Sequence, residues 1–369
     1  MADRPGRAAC WAALAASLAT LGTAGAQDPP KAAPAKAAPA KKAGLRAAGG
    51  APPKARRPVA PDPLAETAPE WPFHYKMKIA GADGYPMAAW YYPSKLGANA
   101  PVLILVHERG PGRSAKDFQA PIDDLKGANL AEHLQEQEYA VLLLDLRGQG
   151  QNPRRELSAR EFAASAQDLQ SAYLFLVDRH NRRELNLGKL GVIALGDGAN
   201  LAAAWAASPG AATSGEGRIS DLNALAMISP VEDAQGIRLA PLAATLAPRM
   251  PIFLAAGKRG NEAVKAAQPA VERQRLSKVV SFDTNLRGER LLNFVAGVPQ
   301  ALVKFLDDPV KFRNVEWEPR WLLTPVGYSL IQVVNKTNPE AAEPEAGVVP
   351  STPAAKKGAA RKKGEAVPK

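Results

Sequence analysis

The 369-residue chain is poor in the side chains that build metal and redox sites, with one cysteine, Cys10, and four histidines. Because Cys10 lies in a segment that we expect to be removed, the mature protein would have no disulfide framework, no thiolate metal site and no cysteine nucleophile. Four histidines are few for a histidine-rich metal site. The sequence therefore predicts no metal and no cofactor.

Excess positive charge is also missing from the middle of the chain. The formal net charge is +11, but residues 63–336 carry only +2 and the two ends carry the rest. A nearly neutral middle argues against a globular nucleic-acid-binding domain, so no specific nucleic acid is expected as a partner. Hydrophobic residues make up 46% of the chain, which is enough to bury a sizeable core.

The N-terminus has the pattern of an export signal. Arg4 and Arg7 precede the apolar run 8–21, and Ala24–Ala26 fits a small-x-small cleavage site. We therefore predict a signal peptide over residues 1–26 and a periplasmic or secreted protein. The alternative is a membrane anchor that stays uncleaved, since a helix of about 20 apolar residues spans a bilayer.

Two segments of low complexity flank the middle of the chain. Residues 27–62 and 336–369 are rich in proline, alanine and lysine, and they offer almost nothing to bury. We predict disordered spacers at both places. The alternative is that these lysine-rich arms bind an anionic envelope polymer or a membrane surface. Residues 63–335 are then expected to form one domain.

Strand-like runs alternate with helical patterns across this domain. The predicted strands are 74–80, 87–92, 101–107, 139–146, 190–195, 222–229, 251–256 and 278–282. The predicted helices are 122–138, 159–178, 198–207, 261–276 and 298–306. This alternation predicts an α/β domain whose mostly parallel sheet has helices on both faces. Residues 229–251 are too few for a large lid, and the place of 312–333 is not predicted.

Three motifs follow successive buried strands. They are LVHERGPGRS at 105–114, DLRGQG at 145–150 and GVIALGDGANLAAAWAA at 191–207. In this order and spacing they resemble the α/β-hydrolase superfamily, in particular its dienelactone hydrolases and esterases, over about residues 72–307. The resemblance implies that the first loop helps to form an oxyanion hole and that the third motif is a nucleophile elbow.

The elbow motif lacks a nucleophile. The family pattern small-x-nucleophile-x-small, laid on 194–198, gives the nucleophile position to Gly196 and a small position to Gly198, and the chain contains no G-x-S-x-G. Glycine adopts the strained backbone of such a turn at little cost, so the turn can persist without an attacking atom. Asp197 is the alternative nucleophile, but it is one residue late and would put Leu195 where a small residue is needed.

The other two triad positions are also degenerate. The resemblance places the acid at Gly260 or Asn261 and the histidine at Arg287. Chain order gives independent support, because the triad runs nucleophile, acid, histidine. The last histidine is His180, which precedes the elbow. We therefore predict a hydrolase fold without the hydrolase mechanism.

Several residues remain as candidates for the cleft and the oxyanion loop: His107, Gly110, Gly112, Asp197, Gly198 and Arg287. His107 ends a buried strand, and its expected role is to orient the loop, with acid–base work as the alternative. Gly110 and Gly112 are expected to shape the loop, and a phosphate cradle is the alternative. Asp145 and Arg147 are interpreted as a pair that stabilises a turn.

Arg287 would place a cation beside the empty nucleophile position. With Lys258 and Arg259 it is a candidate anion site, and the alternative is an ordinary solvated arginine. The leading functional hypothesis is accordingly a pseudo-hydrolase that binds an unknown small molecule or protein at the vacated cleft. One alternative is an active ester or lactone hydrolase that uses Asp197. Another is an envelope-associated scaffold that acts through its basic tails.

Overall fold

The structure, a computed structural model, describes residues 62, 64, 69–152, 156–213, 220–320 and 326–340. The predicted signal peptide and almost all of both predicted tails lie outside these residues. In the described part of the chain, no helix has the length and apolar character needed to cross a membrane.

One sheet of nine strands organises the described residues. In chain order the strands are β1 (Phe73–Ala80), β2 (Pro86–Tyr92), β3 (Val102–Val106), β4 (Ala140–Leu144), β5 (Leu190–Leu195), β6 (Leu222–Ile228), β7 (Asp233–Ala234), β8 (Ile237–Arg238), β9 (Ile252–Gly257), β10 (Lys278–Phe282) and β11 (Tyr328–Asn335). The sheet order is β10-β9-β6-β5-β3-β4-β2-β1-β11, and β7 and β8 form a separate small hairpin. Strands β3 to β10 of the sheet pair in parallel, whereas β1, β2 and β11 join antiparallel.

Eight α-helices cover the sheet in the described part of the chain. They are α1 (Leu130–Glu136), α2 (Ala159–Ala164), α3 (Ala166–Asn181), α4 (Gly196–Ala207), α5 (Leu239–Leu246), α6 (Asn261–Val271), α7 (Gly288–Phe294) and α8 (Val298–Leu306). Helices α2 to α6 pack in one hydrophobic cluster with one face of the sheet, and α1, α7 and α8 pack in a second cluster on the other face. The predicted parallel α/β class is confirmed, because buried central strands of this kind need cover on both faces.

The structure also corrects some predicted elements. The helix expected over 122–138 is only α1, because residues 122–129 form a loop with a short 3-10 turn at Asp123–Leu125. The helix expected over 159–178 is divided at Ser165, whose hydroxyl donates to the carbonyl of Phe162 at 2.5 Å. The unplaced segment 312–333 contributes the start of β11, which extends the sheet beyond β1.

The predicted domain boundary at residue 335 falls inside the described structure. Asn338 donates from its amide to the carbonyl of Val333 at 2.7 Å, which turns the chain back after β11. Glu340 then contacts Lys76 of β1, with 2.6 Å between the Oε1 and Nζ atoms. At the other end, Asp62 accepts a hydrogen bond from the buried Arg179 at 3.0 Å.

Parallel pairing brings two loops together at one edge of the sheet. Val106 of β3 lies opposite Ala194 of β5, so the residues that follow both strands emerge side by side. Open α/β sheets bind their ligands at this carboxyl edge. The fold therefore places the loop after β3 against the turn between β5 and α4.

Candidate functional site

The turn after β5 is built around a glycine in a left-handed conformation. Leu195 is extended, Gly196 has a φ of +53°, and α4 begins at once. A Cβ atom on Gly196 would lie 2.6 Å from both Cβ and Oε2 of Glu108. A Cβ atom on Gly198 would overlap the carbonyl oxygen of His107. Both positions therefore need glycine. Gly196 is needed because its φ is left-handed and Glu108 lies close to it, and Gly198 is needed because α4 packs closely against the loop after β3.

The carboxylate of Glu108 fills the space above this turn. A Cβ atom on Gly288, the first residue of α7, would overlap the same carboxylate. The backbone N–H of Glu289 donates to Glu108, and the Arg113 Nε atom lies 3.2 Å from its Oε1 atom. Burial raises the pKa of Glu108, against the effects of Arg113 and the N–H of Glu289. The acidic side chain of Glu108 thus lies between Gly196 and Gly288 at the carboxyl edge of the sheet.

Asp197 follows Gly196 and is held by Arg109. Its Oδ1 atom accepts from the backbone N–H of Arg109, and its Oδ2 atom accepts from Nε of the same residue, both at 2.8 Å. The guanidinium of Arg109 lies over the ring of Phe162, 3.8 Å from its centroid. Because both oxygens of Asp197 accept charge-assisted hydrogen bonds, its electrons are less available for attack on a substrate.

Two cavities open on either side of the Arg109–Asp197 pair, and together we call them the cleft. The larger, of about 950 Å³, is lined by the loop after β3, including Gly110 and Gly112, and by Trp90. The smaller, of about 570 Å³, is lined by Gly196, Glu108 and Arg287 among others. Cavities of this size accommodate ligands of drug-like dimensions.

Comparison with known proteins gave one family match. The sequence model of the family described as "Serine aminopeptidase, S33" matches residues 126–294. This segment runs from α1 to α7 and contains the turn between β5 and α4. The match supports the resemblance to the α/β-hydrolase superfamily over these residues. A search of curated proteins found no match.

Many solved structures are similar to this chain. An esterase of Pyrococcus furiosus is 16% identical, with a TM-score of 0.47 over 64% of this chain and 90% of the esterase. An acylaminoacyl peptidase of Pyrococcus horikoshii is 12% identical, with a TM-score of 0.47 over 67% of this chain and 43% of the peptidase. A serine hydrolase homologue of Coxiella burnetii is 17% identical, with a TM-score of 0.42 over 62% of this chain and 93% of the homologue.

His107 makes contacts that orient the loop of this hydrolase fold. Its Nε2 atom accepts from the backbone N–H of Leu146 at 2.9 Å, so the ring proton is on Nδ1, which donates to the carbonyl of Glu108 at 2.6 Å. The ring is fully buried, and burial lowers its pKa to about 4. A neutral imidazole with both nitrogens engaged serves to fix the path of the chain from β3 into Glu108.

The expected pair of Asp145 and Arg147 is not formed. Asp145 accepts from the backbone N–H groups of Ala115 and Gln151, each at 2.7 Å, and so ties the loop after β3 to the turn after β4. Arg147 extends away from it and makes ion pairs with Asp83 and Asp168. The two residues stabilise different parts of the edge because they lie on opposite sides of the turn.

Three carboxylates surround one arginine at the junction of the two cavities; we call this group the Arg113 cluster. Arg113 lies 2.6 Å from Glu289, 3.2 Å from Glu108 and 3.8 Å from Asp117, measured between side-chain nitrogen and oxygen atoms. Burial, with the charges of Glu289 and Glu108, raises the pKa of Asp117 to about 7. The Oδ2 atom of Asp117 accepts no hydrogen bond from any described residue.

Of the positions expected for the acid and the histidine, only the histidine position, Arg287, lines the cleft. Arg287 lines the smaller cavity together with Arg290 and Gly196. Gly260 is buried against Ala256, Asn261 begins α6, and neither residue lines the cleft. Lys258 and Arg259, expected beside Arg287, do not line the cleft either, and Lys258 makes an exposed ion pair with Asp283.

Sequence reasoning missed the residues that fill the cleft: Glu108, Arg113, Asp117, Glu289 and Arg290. Two of them, Glu108 and Arg113, stand inside the quoted motif LVHERGPGRS. The signal available was a charged residue directly after His107, where the resemblance leads one to expect a small one. For metal binding, the described residues contain no group of three or more His, Cys, Asp or Glu side chains suitably placed.

Proposed function

We propose that this protein is a non-catalytic α/β-hydrolase that binds a small molecule or a partner at the cleft. The observation that carries the proposal is the position of Glu108. Its carboxylate occupies the space that side chains at Gly196 and Gly288 would need. A nucleophilic side chain at Gly196 would have to displace this partly buried carboxylate, which is already paired with Arg113.

The contacts of Asp197 also favour this proposal over an aspartate nucleophile. An attacking carboxylate needs a neighbouring water and a base for the second half of the reaction. In this chain the backbone N–H of Arg109, on the oxyanion loop, donates to Asp197 itself. A donor already used in this way is not available to a developing oxyanion.

The cleft keeps the space and the polar groups of a binding site. Arg287 and Arg290 line the smaller cavity, and neither forms an ion pair with another described residue. Perturbed carboxylates such as Asp117 are typical of sites that bind or react. Export through residues 1–26 remains a prediction from the sequence and forms part of this proposal.

Turnover of a panel of short-chain aryl esters and lactones tests the proposal. We expect no hydrolysis above buffer by the wild-type protein, Asp197→Ala or Glu108→Ala. Hydrolysis that is lost in Asp197→Ala would show an aspartate nucleophile. Hydrolysis that is lost only in Glu108→Ala would make Glu108 a catalytic carboxylate. Either loss would overturn the proposal.

A further inference from the structure

Glu340 contacts two residues that line the larger cavity, Trp90 and Lys116, although it lies far from both in the sequence. Its Oε1 atom is 2.6 Å from Nζ of Lys76 and 3.8 Å from Nζ of Lys116, and its Oε2 atom accepts from the indole N–H of Trp90 at 3.3 Å. Trp90 and Lys116 both line the larger cavity. Two residues of the cavity wall therefore already contact a carboxylate that belongs to the chain itself.

The donors of this contact are fixed by the sheet. Lys76 of β1 and Trp90 of β2 are directly paired across the two strands, and Trp90 is fully buried. The ammonium of Lys76 lies 5.9 Å from the centroid of the Trp90 ring. A buried indole N–H needs an acceptor, because leaving it unpaired costs desolvation free energy. The donor set is thus built to hold a group that accepts hydrogen bonds.

The acceptor comes from a separate segment. Glu340 follows β11 and the turn that Asn338 makes with Val333. Burial alone would raise the pKa of Glu340, but the hydrogen bond and charge of Lys76, with Lys116 and Trp90, hold that pKa below its ordinary value. The side chain is accordingly an ionised carboxylate at neutral pH. A second carboxylate could replace it without any change in the strands.

We propose that Lys76, Trp90 and Lys116 form a carboxylate subsite of the larger cavity, which Glu340 occupies in competition with the carboxylate of a bound ligand. The proposal rests on the proposed function in that the cavity binds a ligand, and it names the class as a carboxylic acid. Removing the acceptor from position 340 should raise the affinity for such an acid. The expected gain in affinity equals the factor by which occupancy by Glu340 lowers the fraction of the protein that can bind the ligand.

Calorimetric titration with benzoate, and with benzamide as its neutral match, tests the subsite. The proteins are wild type, Glu340→Gln and the control Glu136→Gln, whose side chain is exposed on α1. We expect Glu340→Gln to bind benzoate about tenfold more tightly than wild type and Glu136→Gln. Benzamide should show no such gain. Adding Lys76→Met to Glu340→Gln should abolish the gain.

Equal benzoate affinity in wild type and Glu340→Gln would overturn the subsite, as would an equal gain for benzamide or no binding to any of the proteins. Glutamine at 340 can still accept from Trp90, so the variant is expected to fold, which circular dichroism checks. These failures differ from a failure of the proposed function, which would appear as ester turnover. A chain without turnover and without the benzoate effect would be a non-catalytic protein whose carboxylate subsite is refuted.

Discussion

Two arginines at the same edge of the sheet have opposite surroundings. Arg147 forms a fork with Asp83 and Asp168, in which both carboxylates accept two hydrogen bonds from the guanidinium at 2.6 to 2.7 Å. Arg113 faces three carboxylates at 2.6 to 3.8 Å, and one oxygen of Asp117 has no hydrogen-bond donor among the described residues. The fork is fully satisfied, whereas the Arg113 cluster holds an excess of acid.

The difference separates a structural from a functional use of charge. Arg147 holds the pKa of Asp83 well below its ordinary value, while burial of Asp168 keeps the pKa of that carboxyl raised in spite of Arg147. The fork joins the β1–β2 hairpin to α3. The Arg113 cluster has longer contacts to two of its three carboxylates, and its residues line both cavities. Groups that are poorly satisfied in a cleft are those that a ligand can satisfy.

Removing each arginine should give the largest contrast. Arg147→Met leaves the fully buried Asp168 without its counter-charge, so we expect the free energy of unfolding to fall by about 3 kcal/mol. Arg113→Met should lower the free energy of unfolding by only about 1 kcal/mol, because Arg113 is more exposed than Arg147 and the carboxylates around it can take up protons. Urea unfolding at pH 6 measures both. Equal losses would remove the distinction between the two groups.

The pH dependence of stability should differ in sign between Asp117 and Asp83. The pKa of Asp117 is raised to about 7, so its contribution is present at low pH and is lost as the pH rises from about 4, the ordinary value, through 7. Asp117→Asn should therefore gain stability over wild type at pH 8 and much less at pH 5.

Asp83 is the matched control for that titration. Its pKa is lowered, mainly by hydrogen bonds from Arg147, so its contribution is present above the ordinary value. Asp83→Asn should lose stability by a similar amount at pH 5 and pH 8. Thermal unfolding at the two pH values measures all three proteins. A loss that grows with pH in Asp117→Asn would contradict the assignment.

The smallest expected effect is on the Asp117 carboxyl itself. Glu289 raises the pKa of Asp117 through like charge and also takes part of Arg113. Glu289→Gln should move that pKa toward its ordinary value, with a change in stability within about 0.5 kcal/mol. Carbon-detected NMR titration of the aspartate carboxyls measures it. An unchanged pKa would mean that burial and Glu108, without Glu289, set the value.

Much of the fold could be predicted because its signals are local. Strands β5 and β10 and helix α8 have the predicted bounds. Helix α7 was missed because its seven residues are too few to show a helical period, and β11 lies in the segment 312–333, whose place was not predicted. Pairing of β11 with β1 is a tertiary contact that no local pattern records.

The site divides in the same way. The glycine turn at Gly196 was predictable, since small residues on both sides of it are a local requirement. The place of Glu108 was not, because it depends on how His107 directs the loop and on how closely Gly288 approaches. The Glu340 contact links positions 250 and 264 residues apart in sequence. Charges that meet only through the fold could not be paired from the sequence.

A double-mutant cycle of Gly196→Ala and Glu108→Ala tests the central claim, that Glu108 occupies the nucleophile's space. In wild type, Gly196→Ala should cost the left-handed strain of about 1–2 kcal/mol plus the clash with Glu108. In Glu108→Ala the clash with Oε2 is removed, while the strain and the contact with Cβ of residue 108 remain, which gives a coupling of about 1 kcal/mol. Gly84→Ala is the control, with a φ of +80° and no atom within 4 Å of its Cβ position, and should show no coupling. An equal cost of Gly196→Ala in both backgrounds would contradict the account.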